Sequence, residues 1–312
     1  MYQSTTHWIW DFWLIEHGSV WHLFHLQAPR SVHPDDRHWN ATIGHATSVD
    51  LTNWERQPDA LDVGPPGSPD ATALWTGSVA TDPAGGWLMA YTGIVRVDGV
   101  ATERVLLARS DDLVTWHKDD AVVFESDPSR FEPPGATTWQ HGWRDPWIRH
   151  TGDRWEMLLS ARLAADDPWT AGSIVQATSL DARDWTVVGP VAGTTGVLAQ
   201  LEVPHLCTIG GRTFGVICTN TDGPWPRTDP SPRHLIGTFV APVAASGTWG
   251  PLVALDAAEQ PTRYAGRIVE TDNGPRYLAF HDGPGDAFPG GISDPMAVVI
   301  EADGSLQLEH LP

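Results

Sequence analysis

The chain of 312 residues is 41% hydrophobic and 19% charged, and its 30 Gly and 26 Pro are typical of a globular protein with many turns. This balance excludes a mainly disordered chain, which has too few apolar residues to form a core. The formal net charge of -20 at pH 7 disfavours nucleic acid and anionic membranes, so the expected partner is a neutral small molecule.

The N-terminal segment MYQSTTHWIWDFW has no basic stretch followed by an apolar one, and no window approaches 18 uninterrupted apolar residues. These features predict a soluble, cytoplasmic protein with no membrane partner. The two cysteines, Cys207 and Cys218, are too few for a disulfide framework and are interpreted as buried thiols. The 17 Trp fit both repeated packing positions and platforms on which sugar rings stack.

Five pairs of β-rich segments follow one another along the chain. The first segments read, in order, WIWDFWLI, ALWTGSVA, GWRDPWIRH, AQLEVPHL and RYAGRIVE. Each second segment follows a polar turn and starts with an aromatic residue, in order Trp21, Trp87, Trp155, Phe214 and Tyr277. A further run with the alternation of an antiparallel strand comes after each pair.

A Ser-x-Asp motif with Trp four residues after the Asp closes the first units. Its copies are Ser48, Asp50 and Trp54; Ser110, Asp112 and Trp116; Ser179, Asp181 and Trp185; with a degenerate copy at Trp249. The Ser and Asp are interpreted as holding a turn, and the Trp as packing between repeats. Five units of about 60 residues, with about four strands each, predict an all-β fold, a five-bladed β-propeller forming a single domain over residues 1–312. A β-sandwich is the alternative.

Acidic residues interrupt three of the five first segments, which in a propeller line the central channel. They are Asp11, Asp145 and Glu202. A carboxylate in an apolar strand is costly unless it is paired or functional, so three around one axis predict a catalytic centre. Paired carboxylates are typical of hydrolases that use one as a general acid with a raised pKa and another as a base or nucleophile.

The histidines show no metal-binding pattern. His22 with His25, and His33 with His38, lack accompanying Cys ligands or a His-Glu-x-x-His sequence, so no metal and no cofactor are predicted. The tripeptide His281-Asp282-Gly283 is interpreted as a turn.

Short stretches on successive repeats resemble the catalytic propeller of glycoside hydrolase families 32 and 68, the invertase and levansucrase clan. Residues 10–14 (WDFWL) resemble the family 68 nucleophile segment, and residues 22–29 with 43–54 resemble the first blade of family 32. Residues 75–78 (WTGS) are similar to the aromatic-Ser-Gly-Ser segment of both families. Residues 144–146 match the Arg-Asp-Pro triplet, and residues 202–205 (EVPH) resemble the Glu-x-Pro-His of family 68.

The resemblance implies Asp11 as nucleophile, Glu202 as general acid and then base, and Asp145 as the carboxylate that hydrogen-bonds the furanose hydroxyls in the transition state. Substrate-binding roles are expected for a further set of residues: Trp10, Trp13, Trp75, Ser78, Arg144 and His205. The implied activity is that of a retaining β-fructofuranosidase-type hydrolase acting on sucrose, short fructo-oligosaccharides or a related fructoside, with fructosyl transfer through the same intermediate.

Two other functions stay open: an inverting arabinofuranosidase or xylosidase of the family 43 type, and a non-catalytic glycan-binding propeller. A separation of about 5–5.5 Å between the carboxyl groups of Asp11 and Glu202 is expected for retention, and about 6.5–9.5 Å for inversion.

The chain departs from both families around the substrate. Trp10 and Phe12 flank the nucleophile where family 32 has Asn and Pro, and Phe12 also replaces the Ser of family 68. Leu26, Gln200 and Val203 replace a Gln, a Glu and an Arg of the two families. These changes leave the identity of the sugar open. The C-terminal β-sandwich usual in family 32 is expected to be absent, and the Pro-rich residues 125–142 are expected to rim the pocket.

Overall fold

The computed structural model describes residues 1–135, 142–164, 170–196, 198–219, 235–258, 262–283 and 287–311. The strands of these residues form five separate four-stranded antiparallel sheets, each made of strands consecutive in the chain. This arrangement confirms the predicted all-β, five-bladed β-propeller. Within the described ranges, no helix is long and apolar enough to cross a membrane.

Each blade takes four strands in order from the inside outward. Blade 1 contains β1 (His7–His17), β2 (Val20–Pro29), β3 (Thr42–Ser48) and β4 (Glu55–Arg56); blade 2 contains β5 (Ala73–Thr81), β6 (Trp87–Val97), β7 (Val100–Ser110) and β8 (His117–Phe124). Blade 3 contains β9 (Trp143–Thr151), β10 (Arg154–Arg162), β11 (Gly172–Ser179) and β12 (Thr186–Pro190). Blade 4 contains β13 (Glu202–Ile209), β14 (Arg212–Thr219), β15 (Ile236–Pro242) and β16 (Val253–Ala258); blade 5 contains β17 (Arg263–Val269), β18 (Arg276–His281), β19 (Met296–Ile300) and β20 (Leu306–His310). A 3₁₀ helix, Pro34–Asn40, joins β2 to β3.

The first strands of the five blades form a ring around the channel. Strand β1 contacts β5, β5 contacts β9, β9 contacts β13, β13 contacts β17, and β17 returns to β1. The predicted first segments therefore all face the same axis. The aromatic-led segments form the second strands, and apolar side chains of the sheets fill the space between blades.

The N-terminal residues join blade 5 to blade 1. Tyr2 N donates to Ile292 O at 2.9 Å, and Ile292 N donates back to Tyr2 O at 2.8 Å. Gly291 N also donates to Ile9 O of the inner strand of blade 1, at 2.7 Å. Backbone pairing between the two ends of the chain thus closes the ring.

The Ser-x-Asp motifs form three copies of one turn. In blade 2, Ser110 Oγ donates to Asp112 Oδ1 at 3.0 Å, and the same carboxylate accepts from the backbone N–H groups of Val114 and Thr115. The residue after each Asp has a positive φ, and its carbonyl oxygen accepts from the motif Trp Nε1; these residues are Leu51, Leu113 and Ala182, with φ of 62°, 62° and 59°. The backbone conformation therefore repeats along with the sequence.

The motif tryptophans pack across blade boundaries, as predicted. Trp116 of blade 2 lies edge-on to Phe24 of blade 1, with ring centroids 5.4 Å apart. Trp185 of blade 3 lies 6.4 Å from Phe124 of blade 2. Trp249 follows a different turn, in which Ala244 N donates to Thr248 O, so the degenerate copy in blade 4 does not form the shared turn.

Candidate active site

A β-bulge interrupts the inner strand of every blade. Each inner strand has one extra residue relative to its neighbour, at residues 11, 76, 145–146, 203–204 and 265–266. Bulges bend a strand and change the direction of its side chains. Asp145, Val203 and Ala265 adopt positive φ values of 57°, 54° and 50°, which are uncommon for residues with a Cβ and mark local backbone strain. The five bulges bring side chains of different blades together in the channel.

Asp11 is the bulge residue of blade 1, and it is only partly exposed. Its Oδ2 accepts a hydrogen bond from Thr76 Oγ1, the bulge residue of blade 2. Burial raises the pKa of Asp11 to about 6, the Thr76 hydrogen bond opposes the shift, and the Glu202 carboxylate adds to it. Arg267 also opposes the shift, and its Nε donates to Phe12 O at 2.9 Å.

Asp145 is almost fully buried, with 4% of its surface exposed. Its Oδ2 accepts from Val203 N at 3.0 Å, across the boundary to blade 4, and from Ser160 Oγ at 3.2 Å. Burial raises the pKa of Asp145 to about 7, Arg144 opposes the rise, and the carboxylates of Glu202 and Asp11 add to it. The electrostatic coupling of Asp145 to both other acids means that the three predicted carboxylates converge.

Glu202 opens the inner strand of blade 4, and its side chain is 18% exposed. Arg144 Nη2 donates to Glu202 Oε1 at 2.7 Å, and the Tyr264 hydroxyl donates to Glu202 Oε2 at 2.5 Å. Both carboxylate oxygens are therefore held by side chains from neighbouring blades 3 and 5, while the group keeps access to solvent.

Arg144 connects several acceptors in the channel. Its Nη2 also donates to Gln200 Oε1 at 2.9 Å, and its Nη1 lies 3.4 Å from Glu103 Oε1. Burial lowers the pKa of this guanidinium, but the surrounding carboxylates of Glu103, Glu202 and Asp145 outweigh burial and raise it above the ordinary value. Arg144 is thus a fixed positive charge between the catalytic candidates.

Two of the predicted tryptophans contact a histidine of the 3₁₀ helix. Trp10 is 1% exposed and lies edge-on to His38, and Trp75 Nε1 donates to His38 O at 2.7 Å. Burial and the nearby positive charges of Arg37 and Arg144 lower the pKa of His38 to about 3, so its ring is neutral at pH 7. Trp10 Nε1 is buried with no hydrogen-bond partner within the described part of the chain.

The other predicted substrate-binding residues make contacts between strands. Trp13 is 3% exposed and stacks on Phe24 at 6.3 Å. Ser78 Oγ accepts from Ile148 N of blade 3 at 2.9 Å, and His205 Nε2 accepts from Ile268 N of blade 5 at 3.2 Å. The polar atoms of Ser78 and His205 therefore join adjacent inner strands, and a substrate contact for these residues stays a prediction.

Sequence reasoning missed three side chains of the site: Thr76, Tyr264 and Arg267. Thr76 and Tyr264 lie at or beside the bulges of blades 2 and 5, in the segments ALWTGSVA and RYAGRIVE. No sequence signal identifies them, because the bulges beside which Thr76 and Tyr264 lie become visible only in the pairing of the strands.

The predicted pocket rim at residues 125–142 is only partly within the described ranges, because residues 136–141 lie outside them. In its described portion, Phe131 contacts the ring of Trp143, which begins β9, with centroids 4.8 Å apart. As for metal ions, the described ranges hold no group of three or more His, Cys, Asp or Glu side chains suited to binding one.

Comparison with known proteins shows the family of the chain and two similar relatives. Residues 2–248 match the family model described as the glycosyl hydrolases family 32 N-terminal domain. The sucrose-6-phosphate hydrolase of Escherichia coli is 30% identical over 208 residues, which cover 63% of this chain and 39% of that protein. The probable sucrose-6-phosphate hydrolase of Psychromonas ingrahamii is 29% identical over 274 residues, which cover 85% of this chain and 45% of that protein. The chain thus spans less than half the length of these relatives.

Among solved structures, the inulosucrase from Halalkalicoccus jeotgali bound to kestose superposes with a TM-score of 0.74 at 20% identity. The match covers 98% of this chain and 87% of that chain. At this identity the likeness shows the fold.

Proposed function

Because this chain belongs to glycoside hydrolase family 32, we propose that it is a retaining β-fructofuranosidase-type enzyme that cleaves sucrose, short fructo-oligosaccharides or a related fructoside. The observation that carries the proposal is the convergence of Asp11, Asp145 and Glu202, which lie at or beside the bulges of three inner strands and are coupled to one another electrostatically. The names of the relatives, sucrose-6-phosphate hydrolases and an inulosucrase bound to kestose, support a fructosyl substrate.

In the first step, Asp11 attacks the anomeric carbon of the fructosyl unit while Glu202 gives its proton to the glycosidic oxygen. The bond to the leaving sugar breaks, and an ester forms between the fructosyl carbon and Asp11. The Thr76 hydrogen bond orients the Asp11 carboxylate for this attack. Asp11 must be ionised to act, so its raised pKa places the lower limit of the active pH range near 6.

In the second step, Glu202 removes a proton from water, and the resulting oxygen displaces Asp11 from the fructosyl carbon. A sugar hydroxyl in place of water gives fructosyl transfer through the same intermediate. Glu202 alternates between acid and base, and a tyrosine hydroxyl both donates and accepts hydrogen bonds. Tyr264 can therefore partner Glu202 in either protonation state, while Arg144 holds the other oxygen.

Asp145 has a different task because backbone and hydroxyl donors fix it in place. Val203 N and Ser160 Oγ both donate to its Oδ2, which leaves Oδ1 free of hydrogen bonds to the described residues. A buried carboxylate oxygen of this kind accepts hydrogen bonds from furanose hydroxyls, and these bonds strengthen as positive charge develops on the ring.

The test is a time-resolved NMR analysis of the 312-residue chain with sucrose, 1-kestose and an arabinofuranoside. The expected result is release of fructose whose first-formed anomer matches that of the substrate, and loss of release in Glu202→Gln. Net inversion would overturn the retaining assignment. Cleavage of the arabinofuranoside alone would show an arabinofuranosidase activity like that of family 43, and sugar binding without turnover would show a glycan-binding propeller.

A further inference from the structure

Several contacts hold the 3₁₀ helix Pro34–Asn40 in the region of Asp11, the proposed nucleophile. It contacts β2 of its own blade and β5 of blade 2. Pro34 occupies its first turn, the His33 ring accepts from Asp35 N at 3.3 Å, and Trp75 Nε1 holds His38 O. A short connection that is tied at both ends presents its side chains in a fixed position.

Arg37 of this helix is mostly buried, and aromatic rings hold its guanidinium. The guanidinium carbon lies 4.0 Å from the centroid of Phe288 and 5.6 Å from that of Trp10. Nη1 donates to Pro34 O at 2.8 Å. Nε is buried and has no hydrogen-bond partner within the described residues.

An unpaired buried donor is an expensive arrangement, because it costs about 1–3 kcal/mol when no acceptor replaces water. Arg37 therefore differs from Arg30, which also lies 4.0 Å over an aromatic ring, that of Trp8, but whose Nε donates to Ser4 O at 2.9 Å. A hydrogen-bond acceptor from outside the chain would satisfy the guanidinium of Arg37.

The charges around Arg37 define what that acceptor can be. Burial lowers the pKa of its guanidinium, and the carboxylates of Asp282, Asp11 and Asp35 oppose that effect in this order. Burial in turn raises the pKa of Asp282, with Arg37 opposing. In the part of the chain that the structure describes, Arg37 forms no ion pair within 4.0 Å with any of them. Arg37 is thus a buried positive charge that interacts electrostatically with three carboxylates without pairing with any of them, and additional negative charge there is disfavoured.

We propose that Arg37 is a substrate-binding residue, whose guanidinium donates to a hydroxyl of the fructosyl ring bound at Asp11, with Asp282 accepting from that hydroxyl or its neighbour. The inference deepens the proposed function and rests on it. A sugar hydroxyl both accepts and donates hydrogen bonds, so it suits a site with a donor on one side and a carboxylate on the other. Asp282, interpreted from sequence as a turn residue, directly follows β18 of blade 5 and on this proposal contacts the substrate.

The test compares kcat/KM for sucrose and 1-kestose in the wild type, Arg37→Met, Arg37→Lys and Asp282→Asn. Loss of a hydrogen bond from a charged donor predicts a fall of about 10- to 100-fold in Arg37→Met. The fall should be equal for both substrates, since they share the fructosyl unit, and should be smaller for Asp282→Asn. In the double variant the effects should be less than multiplicative, because both residues act on one hydroxyl pair.

Arg96→Met is the matched control, because the Arg96 guanidinium stacks 4.1 Å over Trp39 of the same helix but its side chain is exposed. This control should keep kcat/KM within about twofold. A second readout is the pH profile: Arg37→Met should move its acidic limb to higher pH, since Arg37 favours the ionised form of Asp11, whereas Arg37→Lys should not.

Two results would overturn the inference. One is an unchanged kcat/KM in Arg37→Met with a lowered melting temperature, which would mean that Arg37 only packs on Phe288. The other is a loss confined to one substrate, which would mean contact with the leaving sugar. If the wild type cleaves neither fructoside, the proposed function fails instead, and calorimetric titration of fructose into wild type and Arg37→Met tests the binding role separately.

Discussion

The outer turns and the inner bulges of this propeller both recur from blade to blade, but the turns conserve sequence and backbone conformation together, whereas the bulges share only the backbone irregularity. In the Ser-x-Asp turns of blades 1 to 3, the residues and the backbone recur together. In the bulges, the backbone irregularity recurs in all five blades while the residues differ, with Asp at two bulges and Thr, Val or Ala at the others. A turn that only stabilises the fold can use the same residues in each blade, whereas a functional site needs a different side chain from each blade.

The pKa values of carboxylates shift in opposite directions in the two regions. In the turns, backbone N–H groups that donate to the carboxylate lower the pKa of Asp112 to about 2. In the bulges, burial raises the pKa of Asp11 to about 6. A carboxylate with a lowered pKa stabilises the folded state at neutral pH, and one with a raised pKa destabilises it. The comparison predicts that stability and activity can be changed independently.

The largest effect is expected for Asp11→Asn. Loss of the nucleophile should reduce kcat by about 10⁴-fold. The same change should increase the free energy of unfolding at pH 8 by about 1–3 kcal/mol, since the folded-state pKa of about 6 lies above the ordinary value of 3.8. Urea unfolding at pH 8 and pH 4.5 measures this, and the gain should shrink at pH 4.5, where Asp11 is protonated in the folded state. A variant that is less stable than the wild type at pH 8 would contradict the assigned charge cost.

An intermediate effect is expected from pH alone. Asp11 has to be ionised to attack, so kcat/KM should fall at least tenfold for each pH unit below about 6. The limb should be steeper than that of a single proton, because burial also raises the pKa of Asp145, to about 7, and the two groups are coupled. The measurement is kcat/KM for sucrose from pH 4.5 to 8, with circular dichroism at each pH as the control for unfolding. Constant activity down to pH 5 would exclude Asp11 as a nucleophile with a raised pKa.

The smallest effect on activity is expected for Asp112→Ala. This change removes the acceptor for the N–H groups of Val114 and Thr115, and should lower the free energy of unfolding by about 1 kcal/mol at pH 7. This difference in the free energy of unfolding should disappear as the pH falls from 3.8 toward 2, because the Asp112 carboxylate of the wild type then becomes protonated in the folded state. The kcat/KM of the folded fraction should stay unchanged. A parallel loss of activity would show that the turn and the bulge are coupled.

The same contrast explains how much of the molecule could be predicted. The turns, the aromatic-led second strands and the order of the blades could be identified, because each depends on residues close together in sequence. The convergence of Asp11, Asp145 and Glu202 could be predicted because charge in an apolar strand is unusual, while their catalytic roles stay a proposal. Tyr264 could not, because its role depends on Glu202, which lies 62 residues away in another blade.

The bulges also explain why placing side chains after them is difficult. Alternate residues of a strand face opposite sides, and one extra residue exchanges the two sides beyond it. Ser78 and His205 follow the bulges of blades 2 and 4, and their polar atoms bond backbone N–H groups of the next blade. Periodicity without knowledge of the bulge cannot assign such residues to the channel or to a blade boundary.

Closure of the ring between blades 5 and 1 affects how the protein folds during synthesis. Asp11 lies in blade 1, and Arg267 of blade 5, which donates to the carbonyl of its neighbour Phe12, is synthesised 255 residues after Phe12. Contacts of such large sequence separation form slowly and late in folding. A nascent chain that lacks β17 therefore carries Asp11, the proposed nucleophile, without its assembled surroundings, and we expect any catalytic competence to arise in one step when the fifth blade docks.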